Sequence, residues 1–498
     1  MRRLSMLVSV VLLTHTVTCF SAMAAEFALA GHEARVLGYI SQAVNYGLHD
    51  EYDTHEGVNQ ALTTIFAEGD WTTDLFRVYA SGKLNVDWAY QINDGDGAWE
   101  DKLFDQSDDL NVDDEYWQLL QEAHVNFSPG NFRFRVGKQI VAWGQTDFIR
   151  VLDQINPLDQ RRGFSDVEFE TSVIPIWLLN SEYIQNSGFG PFQSMRLQFV
   201  FNPNADFIPD QTIATGNDAG GIWAPNIEIP LGGPYPMDFM RVGSSPTDIS
   251  EPDRWDPDGF EYALKLEAII MEALVTLNGF YGIENSPVTL PSGSTTFSFD
   301  PDGRMIAHTP LQGSYPRQNF IGATFTRDLQ FMSISALNLG APVLRLEGLY
   351  AFDKEYATED QLSIIETDEI HWTVGLDWRV KIPLLNPVNT ISFSPQFIQR
   401  ILQDYPDAGI ATVEDRNDAF TFVADTNYFN NKLTPSVAYQ HDFTYKANFY
   451  RLALTYEPNS SWSYTIGALL LDGDEEGKSF EVFDNKDYIW FKIQYQWG

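Results

Sequence analysis

The stretch Ile370-His371-Trp372-Thr373-Val374-Gly375-Leu376-Asp377-Trp378-Arg379-Val380-Lys381-Ile382 alternates without a break. Successive side chains of a strand point to opposite faces. Ile370, Trp372, Val374, Leu376, Trp378, Val380 and Ile382 therefore share one face, and His371, Thr373, Gly375, Asp377, Arg379 and Lys381 share the other. The same period of two runs through Leu433 to Tyr445, Tyr450 to Tyr456 and Ile489 to Trp497, and earlier through Phe260 to Ile270 and Leu344 to Phe352. No comparable 3.6-residue pattern appears, so the chain reads as all-β.

Alternation also marks the half-buried sheets of soluble sandwiches and propellers. These strands, however, run to about 10–13 residues, the length that crosses a bilayer at a tilt, whereas soluble strands average about 5–6. Trp, Tyr and Phe gather near the strand ends, where an interfacial girdle would sit. Short connections are read at Ser81-Gly82, Ser128 to Asn131, Asn186 to Pro191, Met271-Glu272, Asn338 to Pro342, Pro383 to Pro387, Asn430-Asn431 and Pro458 to Ser460. Long segments at 47–71, 93–114, 142–170, 202–258, 284–317, 354–368, 402–417 and 472–486 alternate with them. Only Tyr445 to Asn448 is short where a long connection is due. The expectation is a single transmembrane antiparallel barrel over 25–498, of about 18 strands, with short periplasmic turns and long extracellular loops. Sixteen strands stays open, because Pro175 interrupts the strand at 171–185.

Composition narrows the classes. The 498 residues carry a net charge of −38, which repels nucleic acid. One cysteine, Cys19, excludes a disulfide framework and a Cys-based zinc site. Arg2 and Arg3, the apolar run Met6 to Leu13 and the small residues of Ala22-Met23-Ala24 read as a secretory signal peptide over 1–24. With a barrel behind it, the expected location is the outer membrane of a Gram-negative bacterium, in contact with its lipid and lipopolysaccharide. The end of the chain, with Trp497 followed by Gly498, resembles the signal read by the barrel-assembly machinery.

On these strand phases Arg77, Lys83, Arg133, Arg135, Gln139, Lys265, Glu267, Arg345, Glu347, Asp377, Arg379, Lys381 and Arg451 point inward as candidate lumen residues. Arg327 falls on the apolar face, either by an error of phase or as a snorkelling interface residue. The wall is mixed in sign, and the acidic excess lies in loops such as Asp105 to Glu115 and Asp472 to Glu476. Loop 202–258, with Trp223, Tyr235, Phe239, Arg241 and Trp255, is the candidate constriction or an outer cap. Asp94-Gly95-Asp96-Gly97 resembles part of a calcium loop but lacks the later bidentate Glu, so no metal and no cofactor is expected.

Phe134-Arg135-Val136-Gly137-Lys138-Gln139-Ile140-Val141-Ala142-Trp143-Gly144, followed by Gln154-Ile155-Asn156-Pro157-Leu158-Asp159, resembles the signature of a porin-like outer-membrane family of Gram-negative bacteria, known mainly as a domain of unknown function. A shorter Arg-x-Gly-Arg-Gln element is shared distantly with alginate-export channels, and here Lys138 stands in place of its second Arg. The resemblance implies a barrel and a channel, and it does not name a solute. Read from the residues, Arg135 and Gln139 can reach across the lumen, Lys138 can snorkel at the strand's outer end, and the segment after Trp143 can fold back against the inner wall.

The expected function is passage of a small solute through a mixed-charge lumen. Export of a hydrophobic compound or lipid with an inner-membrane transporter is the alternative. A barrel enzyme needs a His beside a nucleophile or acid at one rim, and His32, His49, His55, His124, His308, His371 and His441 stand in no recognisable motif of that kind.

Overall fold

The computed structural model describes residues 25–49, 57–93, 110–147, 149–163, 172–211, 228–230, 239–242, 247–299, 305–333, 340–475 and 478–497. Segment 1–24, read above as a signal peptide, the Asp94 to Gly97 motif, the start of the acidic run at Asp105, and Trp223 and Tyr235 lie outside them.

Eighteen antiparallel strands among the described residues close a barrel. The first nine are β1 His32–Gly47, β2 Gly57–Thr72, β3 Arg77–Asp87, β4 Ala123–Phe127, β5 Phe132–Gln139, β6 Ile176–Gln185, β7 Phe192–Asn202, β8 Glu261–Ile270 and β9 Ala273–Ile283. The second nine are β10 Arg317–Asp328, β11 Val343–Ala357, β12 Ile364–Val380, β13 Ile391–Leu402, β14 Arg416–Thr426, β15 Leu433–Asp442, β16 Ala447–Asn459, β17 Trp462–Gly473 and β18 Tyr488–Trp497. Each pairs with its sequence neighbour, and β18 returns to β1 from Gly38↔Trp497 to Gly47↔Tyr488. Closure leaves no edge strand. At that seam a Cβ on Gly38 would stand 2.3 Å from the Phe66 carbonyl oxygen and 2.6 Å from the Trp497 ring, so only glycine fits.

The burial pattern is inverted relative to a soluble sheet. Along β12 the polar Thr367, Glu369, His371 and Thr373 are buried, while the apolar residues between them are only partly covered. Ile65, Leu197, Leu264, Leu277, Ile321, Leu452 and Ile466 are exposed on the outside. An apolar outer face with a polar lumen is the arrangement a barrel needs in lipid. Near the rim that carries the chain termini, outward rings pair across strands, with Phe127–Phe134 centroids at 4.9 Å and Trp462–Tyr495 at 5.0 Å. Arg327 is exposed there, next to the end of β10, opposite Leu344.

The parity argument gives the right number of strands but misplaces one turn. Ser81-Gly82 lies inside β3, and most of the expected long segment 47–71 is strand β2. The actual turn is 73–76, where Thr73 Oγ1 accepts from Phe76 N (3.0 Å) and donates to Phe76 O (2.8 Å). β6 begins directly after Pro175, which keeps that residue out of the ladder. The short connection 443–446 between β15 and β16 stands on the rim of long loops, as expected.

The start of loop 202–258 packs on residues 158–160: Gln211 N donates to the Leu158 carbonyl oxygen (2.7 Å), and Asp210 Oδ1 accepts from Leu158 N (2.7 Å). Phe239–Val242 pairs with Glu228–Pro230 and with Met305–His308, and Thr247–Ser250 pairs with Leu311–Ser314. These small sheets join it to the loop after β9, which puts Phe239 and Arg241 in a strand of the far rim. Trp255 is exposed and takes φ 59°.

Candidate functional site

The segment that enters the lumen is 140–163, the continuation of β5. It leaves the wall where Gly137, at φ 132°, bends the strand; a Cβ there would stand 2.2 Å from the Ala123 carbonyl oxygen. The bend turns Lys138 inward. Lys138 has no exposed surface and donates from Nζ to the Trp117 carbonyl oxygen at 3.1 Å and to that of Leu120, so it does not snorkel. Gln139 does not reach across the lumen either. Its Nε2 donates to the carbonyl oxygens of Arg135 (3.2 Å), Gly137 (3.2 Å) and Leu178 (3.1 Å).

Asn156 fixes the loop that follows. Its Oδ1 accepts from Val141 N at 2.9 Å, and its Nδ2 donates to the carbonyl oxygens of Gln139 (3.2 Å) and Ile174 (2.9 Å). Between these anchors Val141, Trp143, Val151, Leu152 and Ile155 cover an apolar patch of the inner wall made by Val200, Ala263, Phe280, Phe320, Leu349 and Ala351. Burial of such side chains is the main gain of folding the segment inward. Trp143 Nε1 keeps its hydrogen bond by donating to Gln198 Oε1 at 3.0 Å.

The tip of the segment meets the charged wall. Glu347 Oε2 accepts from Gln145 N (2.5 Å) and its Oε1 accepts from Leu152 N (2.7 Å). Arg345 Nη2 reaches Asp147 Oδ2 (2.9 Å), Asp377 Oδ1 (2.8 Å) and Ser394 Oγ (2.9 Å), while its Nη1 donates to the Gln145 carbonyl oxygen. Gln396 Nε2 adds a bond to Asp147 Oδ2 at 2.6 Å. One Arg between two carboxylates neutralises part of their repulsion.

The base of the segment is held by buried charge. Arg161 pairs with Asp113 (2.8 Å) and Asp159 (2.9 Å), and Arg162 lies 3.6 Å from Asp113 and 3.8 Å from Asp87. Burial alone would raise the Asp159 carboxyl, but the hydrogen bond and charge of Arg161, with Arg162 beside it, outweigh it and hold Asp159 below the usual carboxylate range.

Between the segment and the facing wall lies a cavity of about 940 Å³. Asp147, Arg150, Asp153, Arg345, Asp377, Asp425 and Arg451 bring both signs to it. A second cavity of about 320 Å³ shares Ser436 and Arg451 with the first and continues towards the rim of the termini past Lys492 and Gln494. The other sequence candidates lie along the lumen face at different heights. Arg77 pairs with Asp70 (3.4 Å), Arg135 donates to Asn126 (3.0 Å), Lys265 stands 3.9 Å from Glu267, and Lys381 donates to the Asn389 carbonyl oxygen (3.2 Å). Lys83 is buried, Arg133 and Arg379 are exposed near the terminal rim, and Arg451 lies 5.2 Å from the Trp490 ring centre. Among the described candidates, Arg345 and Glu347 bond to the inward segment, and Asp377 joins them through Arg345. Gln145, Asp147, Ser394 and Gln396 are the partners that sequence reasoning missed. Among the described residues no group of three or more His, Cys, Asp or Glu could hold a metal ion.

No curated protein matches the sequence. In shape the chain is similar to a BenF-like porin from Pseudomonas fluorescens Pf-5, at 9% identity, covering 94% of this chain and 99% of that one, with a TM-score of 0.47. It is similar also to OccAB2 from Acinetobacter baumannii (9% identity, 93% and 97% covered, TM-score 0.48). A third is OmpF from Salmonella typhi, solved in complex with daunomycin (10% identity, 95% and 100% covered, TM-score 0.39). The family match spans nearly all of the barrel, residues 41–497, and by it the chain belongs to the family described as "Protein of unknown function (DUF1302)".

Proposed function

We propose that the protein is an outer-membrane channel that passes a small polar solute through a lumen narrowed by segment 140–163. The observation that carries this reading is the inward tip at Gln145 to Leu152, pinned by Arg345 and Glu347 and bordering a cavity of about 940 Å³ lined by both signs of charge. A barrel this wide is not filled by wall side chains alone, so a loop or water must occupy it. Opposed Arg and Asp groups give a transverse field that orders a dipolar solute. The rim of the termini faces the periplasm in this reading, the outer belt contacts lipid and lipopolysaccharide, and β18, ending at Trp497, engages the assembly machinery. A hydrolytic role has less support: His124 and His371 are buried beside Glu122 (3.6 Å) and Glu369 (3.9 Å) as parts of the wall, and the rim supplies a His with an acid in one place, His49–Asp487 (3.2 Å), and a His with a hydroxyl in another, His308–Ser298 (2.7 Å).

Purified protein in a planar bilayer tests the proposal. Stable, ohmic current steps are expected. A correctly folded barrel that passes no current contradicts the reading and favours export with an inner-membrane transporter.

A further inference from the structure

The barrel wall has a notch between β3 and β5. A tilted strand needs about 9–11 residues to cross the hydrocarbon core; β4 has 5 and β5 has 8. The β3–β4 ladder ends at Ala80↔Ala123, with one further exchange between Ser81 and residues 121–122. β3 runs on to Asp87, where it meets Val112–Asp113 through Asn85↔Asp113 and Val86↔Val112. Between these two pairings the edge of β3 borders the notch.

Exposed backbone is costly in lipid, and the notch is filled by the short helix Tyr116–Leu119. A Cβ on Gly82 would stand 2.5 Å from the Leu119 carbonyl oxygen, so the helix lies directly on β3. Val112, Tyr116 and Leu119 are exposed on the outside, continuing the apolar belt of Ile65, while Trp117 and Gln118 are buried. Between the short pairings at its two ends, side chains hold this plug. Lys138 Nζ caps the carbonyl oxygens of Trp117 and Leu120, Gln118 Nε2 donates to Asp159 Oδ2 (2.6 Å), and Arg161 stacks 4.6 Å from the Trp117 ring centre. Trp117 packs on Ile174 and Ile208. Next to Ile174 in sequence, Val173 lines the cavity of about 940 Å³, together with apolar Ile140 and Leu158 and with charged Arg345, Asp377 and Asp425.

We propose that residues 110–122 close a lateral portal between β3 and β5, through which a single-chain amphiphile with a zwitterionic head passes between the lumen and the surrounding leaflet. The mixed lining of the cavity offers Ile140, Leu158 and Val173 to the chain, and Arg345 with its neighbouring carboxylates to the head. Its volume falls within the about 300–1,000 Å³ of small-ligand sites. The proposal rests on the channel reading, because the amphiphile reaches the portal through the lumen.

Val86 and Val112 offer a lock. Asp87 N bonds to Asn111 O at 2.8 Å, which makes the adjacent Val86↔Val112 pair the closely spaced, non-hydrogen-bonded kind that a disulfide fits. The test uses full-length protein with Cys19→Ser, Val86→Cys and Val112→Cys in vesicles that carry NBD-labelled lysophosphatidylcholine on the inner side. Its emergence in the outer leaflet is read by extraction into fatty-acid-free albumin, which is too large for the lumen and leaves the disulfide intact, and ionic conductance is recorded on the same protein. Oxidation is expected to lower transfer to the rate of protein-free vesicles, reductant to restore it, and conductance to stay unchanged. Lys138→Met, which removes the cap, is expected to speed transfer. Equal transfer by oxidised and reduced protein overturns the portal, as does a Lys138→Met rate equal to that of the parent. Lock-sensitive transfer without ionic conductance supports the portal while contradicting the channel reading.

Discussion

One carboxylate, Glu347, accepts from two backbone amides of the inward segment, Gln145 N and Leu152 N, and so fixes both ends of its tip. Glu347→Ala leaves the buried Leu152 amide without an acceptor, at about 1–3 kcal/mol, and the half-buried Gln145 amide at less. Glu347→Gln keeps one acceptor oxygen and is expected to lose less. Limited proteolysis within 140–163 checks the order, and equal protection of both variants would contradict it. A second residue-scale prediction concerns the two-residue turn Met271-Glu272, where both residues sit at positive φ, 49° and 68°. Such a turn favours Asn-Gly, and left-handed backbone costs other residues about 1–2 kcal/mol each. Met271→Asn with Glu272→Gly should therefore raise the midpoint of denaturant unfolding in detergent. An unchanged midpoint would mean that the turn has no influence on the folded state. At this scale the sequence shows which face a residue takes, so Arg345, Glu347 and Asp377 are legible as lumen residues. Their partners are not: Asp147 and Gln145 come from a segment about 200 positions away in sequence, and no local pattern joins them.

The elements were legible to different degrees. Strand β12 declares itself because one face must meet lipid and the other water, which leaves no freedom in the alternation. The turn at 73–76 is hidden because a threonine hydroxyl builds it, not Gly or Pro, while Gly82 beside it serves the close approach of Leu119. Loop 202–258 drew attention by its Pro, Gly and aromatic content, but its described strands pair with the loop after β9 at the far rim. Segment 140–163 is drawn inward instead by an apolar patch on an otherwise polar wall, and that patch exists only once the five strands β7 to β11 are side by side. The base of this segment predicts a pH dependence. Asp159 is held below the usual carboxylate range, so its contribution is present above the unfolded-state pKa of about 4 and is lost as pH falls through the lower folded value. Protease protection of 140–163 should decrease in that acidic window, and Asp159→Asn should weaken it at neutral pH and remove this part of the acid response. An acid response identical in wild type and Asp159→Asn would place the pH sensitivity elsewhere.

At the scale of the molecule, the net charge of −38 stops being a statement about what passes through the barrel. The lumen face near the inward tip carries Arg150, Arg345 and Arg451 beside Asp147, Asp153, Asp377 and Asp425. The barrel itself was legible because closure demands an even alternation of connections and an inside-out pattern along every strand. The narrowing was not, since it depends on contacts across the closed barrel. The account's central claim is that segment 140–163 sets the conducting path and that Arg345 pins it there. Single-channel conductance of wild type against Arg345→Ala in planar bilayers tests this most directly. The account predicts ohmic steps in the wild type and larger, noisier steps in the variant, whose tip has lost its bonds to the wall. Identical steps in the two proteins, or none in either, would contradict it.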